Sequence, residues 1–201
     1  MHNTYIPPDL QACLDTAAAL HHHLCPRQVL GVRTGMYAAE LFSLPLPQTD
    51  KRLFAFVETD GCFADGVSVA TGCWLGRRTM RLVDYGKVAA TFVDTATGRA
   101  MRVCPQPTAR ARALEYAPGE PDAWHSQLVG YRVMPAPELL RVEEVRLTVS
   151  LDEIISQPGL RVICYACGEE IMNAREVTVD GRSLCRRCAG HDSYYESCSL
   201  S

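Results

Sequence analysis

The sequence predicts an α+β protein whose main domain is followed by a small zinc-finger domain. Its 201 residues are 47% hydrophobic and 21% charged, which is typical of an ordinary globular protein. Helical periodicity near the start gives way to short apolar strands, and two closely spaced cysteine pairs lie near the end. We therefore predict a core domain over residues 1–157 and a finger with its tail over 158–201, divided at Pro158-Gly159.

Two helices are predicted at the start of the chain, over residues 8–24 and 28–42, because apolar side chains recur there at helical spacing. Pro26 disfavours helical dihedrals at Cys25, so the first helix should end near the histidines that precede it. The second helix carries small residues four positions apart. This spacing predicts a smooth face that another element can approach closely, formed by Gly31, Gly35 and Ala39.

The middle of the chain predicts strands that alternate with helices. After a turn at 60–65 we expect a short helix that reaches Trp74, and two further helical pieces follow at 108–116 and 122–133. Apolar or alternating runs predict strands over residues 53–57, 80–84, 87–93, 99–104 and 141–149. The strands on either side of Thr97-Gly98 should form a hairpin.

The carboxy-terminal cysteines have the spacing of a structural zinc site. Two C-x2-C pairs, Cys164 with Cys167 and Cys185 with Cys188, are separated by the seventeen residues 168–184. Each pair presents two thiolates from one tight turn, and the segment between the pairs completes a tetrahedron around one ion. A hairpin at Asp180-Gly181 and a short helix after the second pair would make the module treble-clef-like.

Charge argues against nucleic acid as the partner of this finger. Residues 161–190 contain five arginines and four acidic residues, and the whole chain has a formal net charge of −3. A structural or protein-docking role is the better interpretation. The first residues lack the basic and apolar regions of a signal peptide, and no apolar run is long enough to span a bilayer. We therefore expect a cytoplasmic protein, in which ten cysteines serve metal binding or thiol chemistry rather than disulfides.

A second concentration of metal-binding side chains lies in the segment His21-His-His-Leu-Cys25. In a continuous helix His21 and His23 would point about 200° apart, so they can converge with Cys25 only if the last turn unwinds before Pro26. From the residues alone, this segment is either a solvated helix end or a set of ligands. Another hypothesis pairs Cys62 with Cys73 as redox thiols, although their spacing is not C-x-x-C.

Five separated motifs together resemble the FmdE family, which is named for one of the subunits of formylmethanofuran dehydrogenase. In order they are His21-x-His23-Leu-Cys25-Pro26, Leu30-Gly31, Gly61-Cys62-x-x-Asp65, Thr71-Gly-Cys-x-Leu-Gly76 and Asp84-Tyr-Gly-Lys87-x-Ala. The resemblance implies a mixed sheet flanked by helices, loosely thioredoxin-like, and a zinc or similar ion in the core held by His21, His23, Cys25 and Cys62. It places Cys62, Asp65 and Lys87 as candidate catalytic residues, whereas Lys87 taken alone is typical of a surface lysine.

The resemblance also implies a homodimer and an association with the molybdenum or tungsten enzyme of one-carbon metabolism that occurs in methanogenesis. Two positions depart from the family pattern, because His22 and Arg27 stand where glycine is usual. The leading hypothesis is a metal-dependent protein of one-carbon or molybdoenzyme metabolism. The alternative is a non-catalytic accessory that docks on a larger enzyme through its finger or delivers a metal or cofactor to it.

Overall fold

In a computed structural model, the structure describes residues 8–198 except 156, 158, 192 and 197. The chain divides into two compact units between Thr148 and Val149. The first unit contains the motifs of the family resemblance and the second contains the finger cysteines.

Helices of the first unit follow the predicted periodicity, with shifts of a few residues at their ends. Their bounds are α1 Pro8–His21, α2 Pro26–Phe42, α3 Cys62–Thr71, α4 Ala109–Tyr116, α5 Ala123–Val133 and α6 Ala136–Leu139. The predicted turn at 60–65 is wrong from Cys62 onward, because α3 begins there. In the part of the chain that the structure describes, no helix is long and apolar enough to cross a membrane.

The strands of the first unit form one five-stranded mixed sheet, which confirms the predicted fold class. They are β1 Leu53–Val57, β2 Met80–Leu82, β3 Ala90–Asp94, β4 Ala100–Pro105 and β5 Leu140–Val145. The spatial order is β2-β1-β3-β4-β5. The pair β1–β2 is parallel and the other pairs are antiparallel, so β1, α3 and β2 make a strand–helix–strand crossover.

The core lies between one face of this sheet and the helices. Paired residues share a face of a sheet, so Val57, Ala90 and Val103 present their side chains to the same side. All three are almost fully buried and belong to one apolar cluster with side chains of the first three helices. Those helical members include Leu10, Leu14, Val29, Val32, Phe63 and Val67. Burial of this common cluster therefore holds α1, α2 and α3 against the sheet.

Helices α2 and α3 approach each other so closely that only glycine fits at their contact. A Cβ atom added at Gly31 would lie 2.2 Å from the carbonyl oxygen of Phe63, and one added at Gly66 would lie 2.5 Å from that of Gln28. Further along, Gly35 faces Ala70 and Thr71. Residue numbers rise together in these contacts, so the two helices run parallel and their amino termini lie at the same end. The predicted smooth face of α2 is thus confirmed at Gly31 and Gly35.

We predict that Gly66→Ala destabilises the protein, although alanine by itself favours a helix over glycine by about 1 kcal/mol. The new methyl group would meet backbone atoms of α2, which cannot move aside as the end of a side chain can. Overpacking of this kind typically costs about 1–3 kcal/mol. Urea denaturation measures the change, and Gly76→Ala, where an added Cβ has open space, is the control. Equal stability of Gly66→Ala and wild type would contradict the close packing.

The second unit is built from two short hairpins and a helical turn. Its elements are α7 Leu151–Ile154, β6 Arg161–Ile163, β7 Glu170–Met172, β8 Val177–Val179 and β9 Arg182–Leu184. The turn between β8 and β9 has positive φ at Asp180 (51°) and Gly181 (74°), which confirms the predicted hairpin. The short helix predicted after Cys188 is wrong, because residues 186–190 form successive turns that return N–H groups to nearby carbonyls.

Candidate functional site

The finger cysteines meet at one point, as their spacing predicted. The sulfur atoms of Cys164, Cys167, Cys185 and Cys188 all lie within 4.8 Å of one another. Cys164 follows β6 and Cys185 follows β9, so each hairpin contributes one end to the site. Four thiolates with this spacing are the donor set of a closed, tetrahedral structural zinc site. The predicted cluster of four cysteines, with the composition of a structural zinc site, is therefore confirmed.

Backbone N–H groups around this cluster favour thiolate charge. The N–H of Cys185 donates to the sulfur of Cys164 at 3.3 Å, and the N–H of Cys188 donates to that of Cys185 at 3.4 Å. Hydrogen bonds from the backbone of Cys167 and then of Cys185 lower the pKa of Cys164 to about 6. Hydrogen bonding to the Cys185 thiol raises the pKa of Cys188 to about 12. Repulsion among four thiolates therefore needs a cation at the centre, which zinc supplies.

The first unit has a second cluster of potential ligands, where α1 ends and α2 and α3 begin. Helix α1 ends at His21, and His22 adopts a left-handed backbone conformation with φ 58°. The last turn therefore unwinds before Pro26, which is the condition for His21 and His23 to converge. Their rings now lie edge to face with centroids 5.9 Å apart.

One nitrogen of the His21 ring and one of the His23 ring are engaged in hydrogen bonds. Nε2 of His21 lies 2.6 Å from a carboxylate oxygen of Asp65 on α3, and Nδ1 of His23 lies 2.9 Å from the backbone carbonyl of His21. Each ring would donate an N–H to an oxygen acceptor in these contacts. Nδ1 of His21 and Nε2 of His23 are then left as the lone-pair nitrogens. This is the usual arrangement of metal-binding histidines, whose second nitrogen is held by a carboxylate or carbonyl.

A buried glutamine positions Cys25 at the amino terminus of α2. The Cys25 N–H donates to Oε1 of Gln28 at 2.8 Å, and Nε2 of Gln28 donates to the Ala17 carbonyl of α1 at the same distance. Gln28 is completely buried. Our sequence reasoning missed this residue. Its position three residues after the N-cap is that of the acceptor in a capping box, and that signal could have identified it.

The Cys25 thiol lies near enough to the Cys62 thiol to affect its ionisation. Cys62 is the first residue of α3 and follows Gly61, whose φ of 72° makes the sharp entry into the helix. Burial, and then the hydrogen bond with Cys25, raise the pKa of the Cys62 thiol. The parallel packing of α2 and α3 therefore brings together two cysteines that are 37 residues apart in the sequence.

The predicted core ligands lie less close to one another than the finger cysteines do. Within the described residues, the finger cysteines form the sole group of three or more His, Cys, Asp or Glu with all ligand atoms inside 4.8 Å. His21, His23, Cys25 and Cys62 are instead neighbours in pairs. Lys87 is exposed: its ammonium group lies over the Tyr85 ring at 5.7 Å, and its backbone N–H bonds the Glu58 carbonyl after β1.

The hypothesis of a redox pair between Cys62 and Cys73 is wrong. Cys62 begins α3 and Cys73 follows the end of this helix, so the two residues lie about 15 Å apart at the rise of a helix. The Cys73 thiol is buried and donates to the Leu53 carbonyl at 3.3 Å, and its burial raises its pKa. Reactive thiols have the opposite properties, a lowered pKa and access to solvent.

A mixed-sheet domain with a histidine–cysteine cluster at its helix ends, combined with a four-cysteine finger, defines a class of two-unit metal-binding proteins. Residues 20–141 match the family model described as "FmdE, Molybdenum formylmethanofuran dehydrogenase operon". This match spans more than half of the chain, and the chain therefore belongs to the FmdE family. Residues 159–193 match the prokaryotic dksA/traR C4-type zinc finger.

Two known proteins resemble this chain over most of its length. A protein of Archaeoglobus fulgidus named "Probable S-adenosyl-L-methionine-binding protein" is 30% identical over 203 residues, which cover 89% of this chain and 52% of that protein. The chain thus spans about half the length of this relative. A crystal structure of a tungsten formylmethanofuran dehydrogenase FmdE-like protein from Syntrophus aciditrophicus has a TM-score of 0.57 at 20% identity. The match covers 92% of this chain and 95% of that one, which supports the fold.

We predict that His22→Gly stabilises the protein by about 1 kcal/mol relative to wild type, because glycine adopts positive φ without the steric cost that other residues meet. His22→Val should destabilise it, since a β-branched residue fits this conformation worst. Both variants remove the same exposed imidazole, so their difference isolates the backbone. Thermal denaturation measures both. Equal thermal stability of the valine and glycine variants would contradict the left-handed backbone at His22.

Proposed function

We propose that the first unit is a metal-dependent active centre in which His21, His23, Cys25 and Cys62 hold a zinc or similar ion. The observation that carries this proposal is the meeting of the Cys25 and Cys62 thiols at two parallel helix ends, beside two histidine rings whose outer nitrogens are already hydrogen-bonded. Thiolate and imidazole ligands favour zinc over magnesium or calcium, which prefer oxygen.

Asp65 has the geometry of a positioning residue in this centre. Its carboxylate holds the Nε2 side of the His21 ring at 2.6 Å, so it would keep the other nitrogen directed to the ion. Cys62 would act as a ligand whose proton is displaced on binding. Lys87 lies on the loop between β2 and β3, where its N–H bonds the Glu58 carbonyl after β1. It is a candidate acid or base toward a substrate.

A bound ion would supply Lewis-acid chemistry or lower the pKa of a bound water molecule. The substrate would belong to one-carbon or molybdoenzyme metabolism, which is supported by the family description and by the kind of protein in the superposed crystal structure. We also propose that the protein works as a homodimer.

Metal analysis of the full-length chain tests the proposed centre. We expect about two zinc ions per wild-type chain, one in the finger and one in the core. Cys25→Ser and Cys62→Ser should each retain about one, because loss of a ligand affects only the core site. Cys13→Ser, which removes a half-buried thiol on α1, is the matched control and should keep two. Asp65→Asn should keep two at saturating zinc but bind the core ion about 10- to 100-fold more weakly.

A single zinc ion in the wild type, or two ions in Cys25→Ser, would contradict this proposal. If Cys25→Ser kept two ions, the finger would have to be tested as the place where the second ion binds. Cys164→Ser, which lacks one finger ligand, distinguishes the two sites. That variant should lose the finger ion and keep the core ion, provided that the first unit remains folded by circular dichroism.

The alternative, an accessory that docks through its finger, is favoured by exposed apolar side chains on the finger. Ile163 at the end of β6 is 61% exposed, and Tyr165 in the following turn is 64% exposed, with Arg182 over its ring at 4.2 Å. Exposed apolar and aromatic groups on so small a unit are typical of a contact surface.

This alternative predicts a complex with a molybdenum or tungsten formylmethanofuran dehydrogenase. Wild type should co-elute with the purified enzyme in size-exclusion chromatography, and Ile163→Ser should weaken the complex because it removes apolar contact area. Leu114→Ser, which changes a 50% exposed leucine of α4, is the control. Separate elution of wild type and enzyme would count against docking and leave the metal centre unaffected.

A further inference from the structure

A small cavity lies next to the proposed metal centre, at the carboxyl ends of the parallel strands β1 and β2. It has a volume of about 220 Å³. Val57 and Leu82, which are paired neighbours in the sheet, form its floor together with Gly61 and Asp65 of the α3 entry. Ligands in α/β crossovers bind beyond the carboxyl ends of the parallel strands, and the Val57–Leu82 end of this cavity lies there. The rest of the cavity runs along α3 at Ala64 and Ser68 and reaches the start of β2 at Met80.

One side of the cavity is apolar and remains open to solvent. Trp74, Met80 and the leucines at 75 and 82 line it. Leu75 is 63% exposed and Leu82 is 43% exposed, so two large apolar side chains stand at the mouth without being covered. A ligand with an apolar body would remove them from water. Ligand sites for drug-sized molecules have about 300–1,000 Å³, so a single ring or a group of similar size fits here.

The charged groups that line the cavity are both acidic. They are Asp60 and Asp65, and none of the described lining residues is lysine, arginine or histidine. Asp65 uses one oxygen to hold His21, which leaves its other oxygen available. The amino terminus of α3 contributes roughly half a positive charge and offsets only part of one carboxylate. The lining is therefore net negative.

A metal ion in the neighbouring centre would not remove this negative charge. A zinc ion held by two thiolates and two neutral imidazoles has no net charge, since the two thiolates balance the ion. Both carboxylates would then still lack a compensating cation. Asp60 is exposed and the Asp65 side chain is 34% exposed, so water screens part of their attraction for a cation, and the apolar wall beside them limits that screening.

We infer that this cavity binds the cationic group of a small organic substrate, an ammonium, guanidinium or sulfonium attached to a compact apolar body. The inference deepens the proposed function and rests on it, because the cation would contact Asp65, the residue that holds the proposed ligand His21. Asp60 would supply the second carboxylate, and the Trp74 ring would add a cation–π contact. The same charges would repel small carboxylates and phosphates.

Titration with a series of matched fragments tests this inference on the full-length protein loaded with zinc. Benzylammonium, benzyl alcohol and benzoate share one ring and differ in charge. We expect millimolar binding of benzylammonium, at least five-fold weaker binding of benzyl alcohol, and no binding of benzoate. Trp124→Phe provides a background in which Trp74 is the only tryptophan, so a change of its fluorescence places the fragment in the cavity.

Asp60→Asn, which removes one charge and keeps the shape of the side chain, should weaken benzylammonium at least three-fold and leave benzyl alcohol unchanged. Glu120→Gln, at an exposed position outside the cavity, is the control and should bind like wild type.

Equal affinity for charged and neutral fragments, an unaffected Asp60→Asn variant, or no change in Trp74 fluorescence would each overturn the inference. These outcomes are separable from failure of the metal centre. If two zinc ions are bound but no cation is selected, the cavity assignment fails and the metal centre stands. If only the finger ion is bound and benzylammonium is still selected through Asp60, the metal centre fails and the cavity assignment stands.

Discussion

The glycine contact between α2 and α3 is the constraint on which the rest of the first unit depends. Two helices whose backbones touch at Gly31 and Gly66 cannot slide or rotate freely, because carbonyl oxygens occupy the space that a side chain would need. Their parallel direction places both amino termini at one end. This is why Cys25 and Cys62 become neighbours, and why a third helix that ends at His21 can add its histidines there.

Orientation within this cluster comes from hydrogen bonds to groups outside the proposed ligand set. Gln28 links the start of α2 to the carbonyl of Ala17 on α1, and Asp65 holds the ring of His21. The left-handed turn at His22 then redirects the chain, so that His23 lies beside His21 rather than on the opposite side of a helix. Burial of Gln28 makes its contacts costly to lose, since a buried amide without partners is destabilising.

The two clusters differ in composition and in how closely their side chains meet. The finger closes four cysteines around one point and stabilises its charge with backbone N–H groups, which leaves no position for a substrate. The cluster of the first unit mixes thiols with imidazoles, is held by a second layer of hydrogen bonds, and adjoins an acidic cavity with apolar walls. The active centre that we propose for the first unit requires this combination of ligands, positioning hydrogen bonds and an adjoining cavity.

The sequence alone determined what depends on near neighbours: the C-x2-C knuckles, the Asp180-Gly181 hairpin, the helix break before Pro26 and the glycine face of α2. Local dihedral preferences and short spacings decide these features. Only the tertiary structure decided that Asp65 holds His21 and that Asp60 lines a cavity. It also placed Cys62 beside Cys25, as the family resemblance implied, and far from Cys73. Those contacts join residues far apart in the chain, and they arise from how helices and strands pack, which no local pattern specifies.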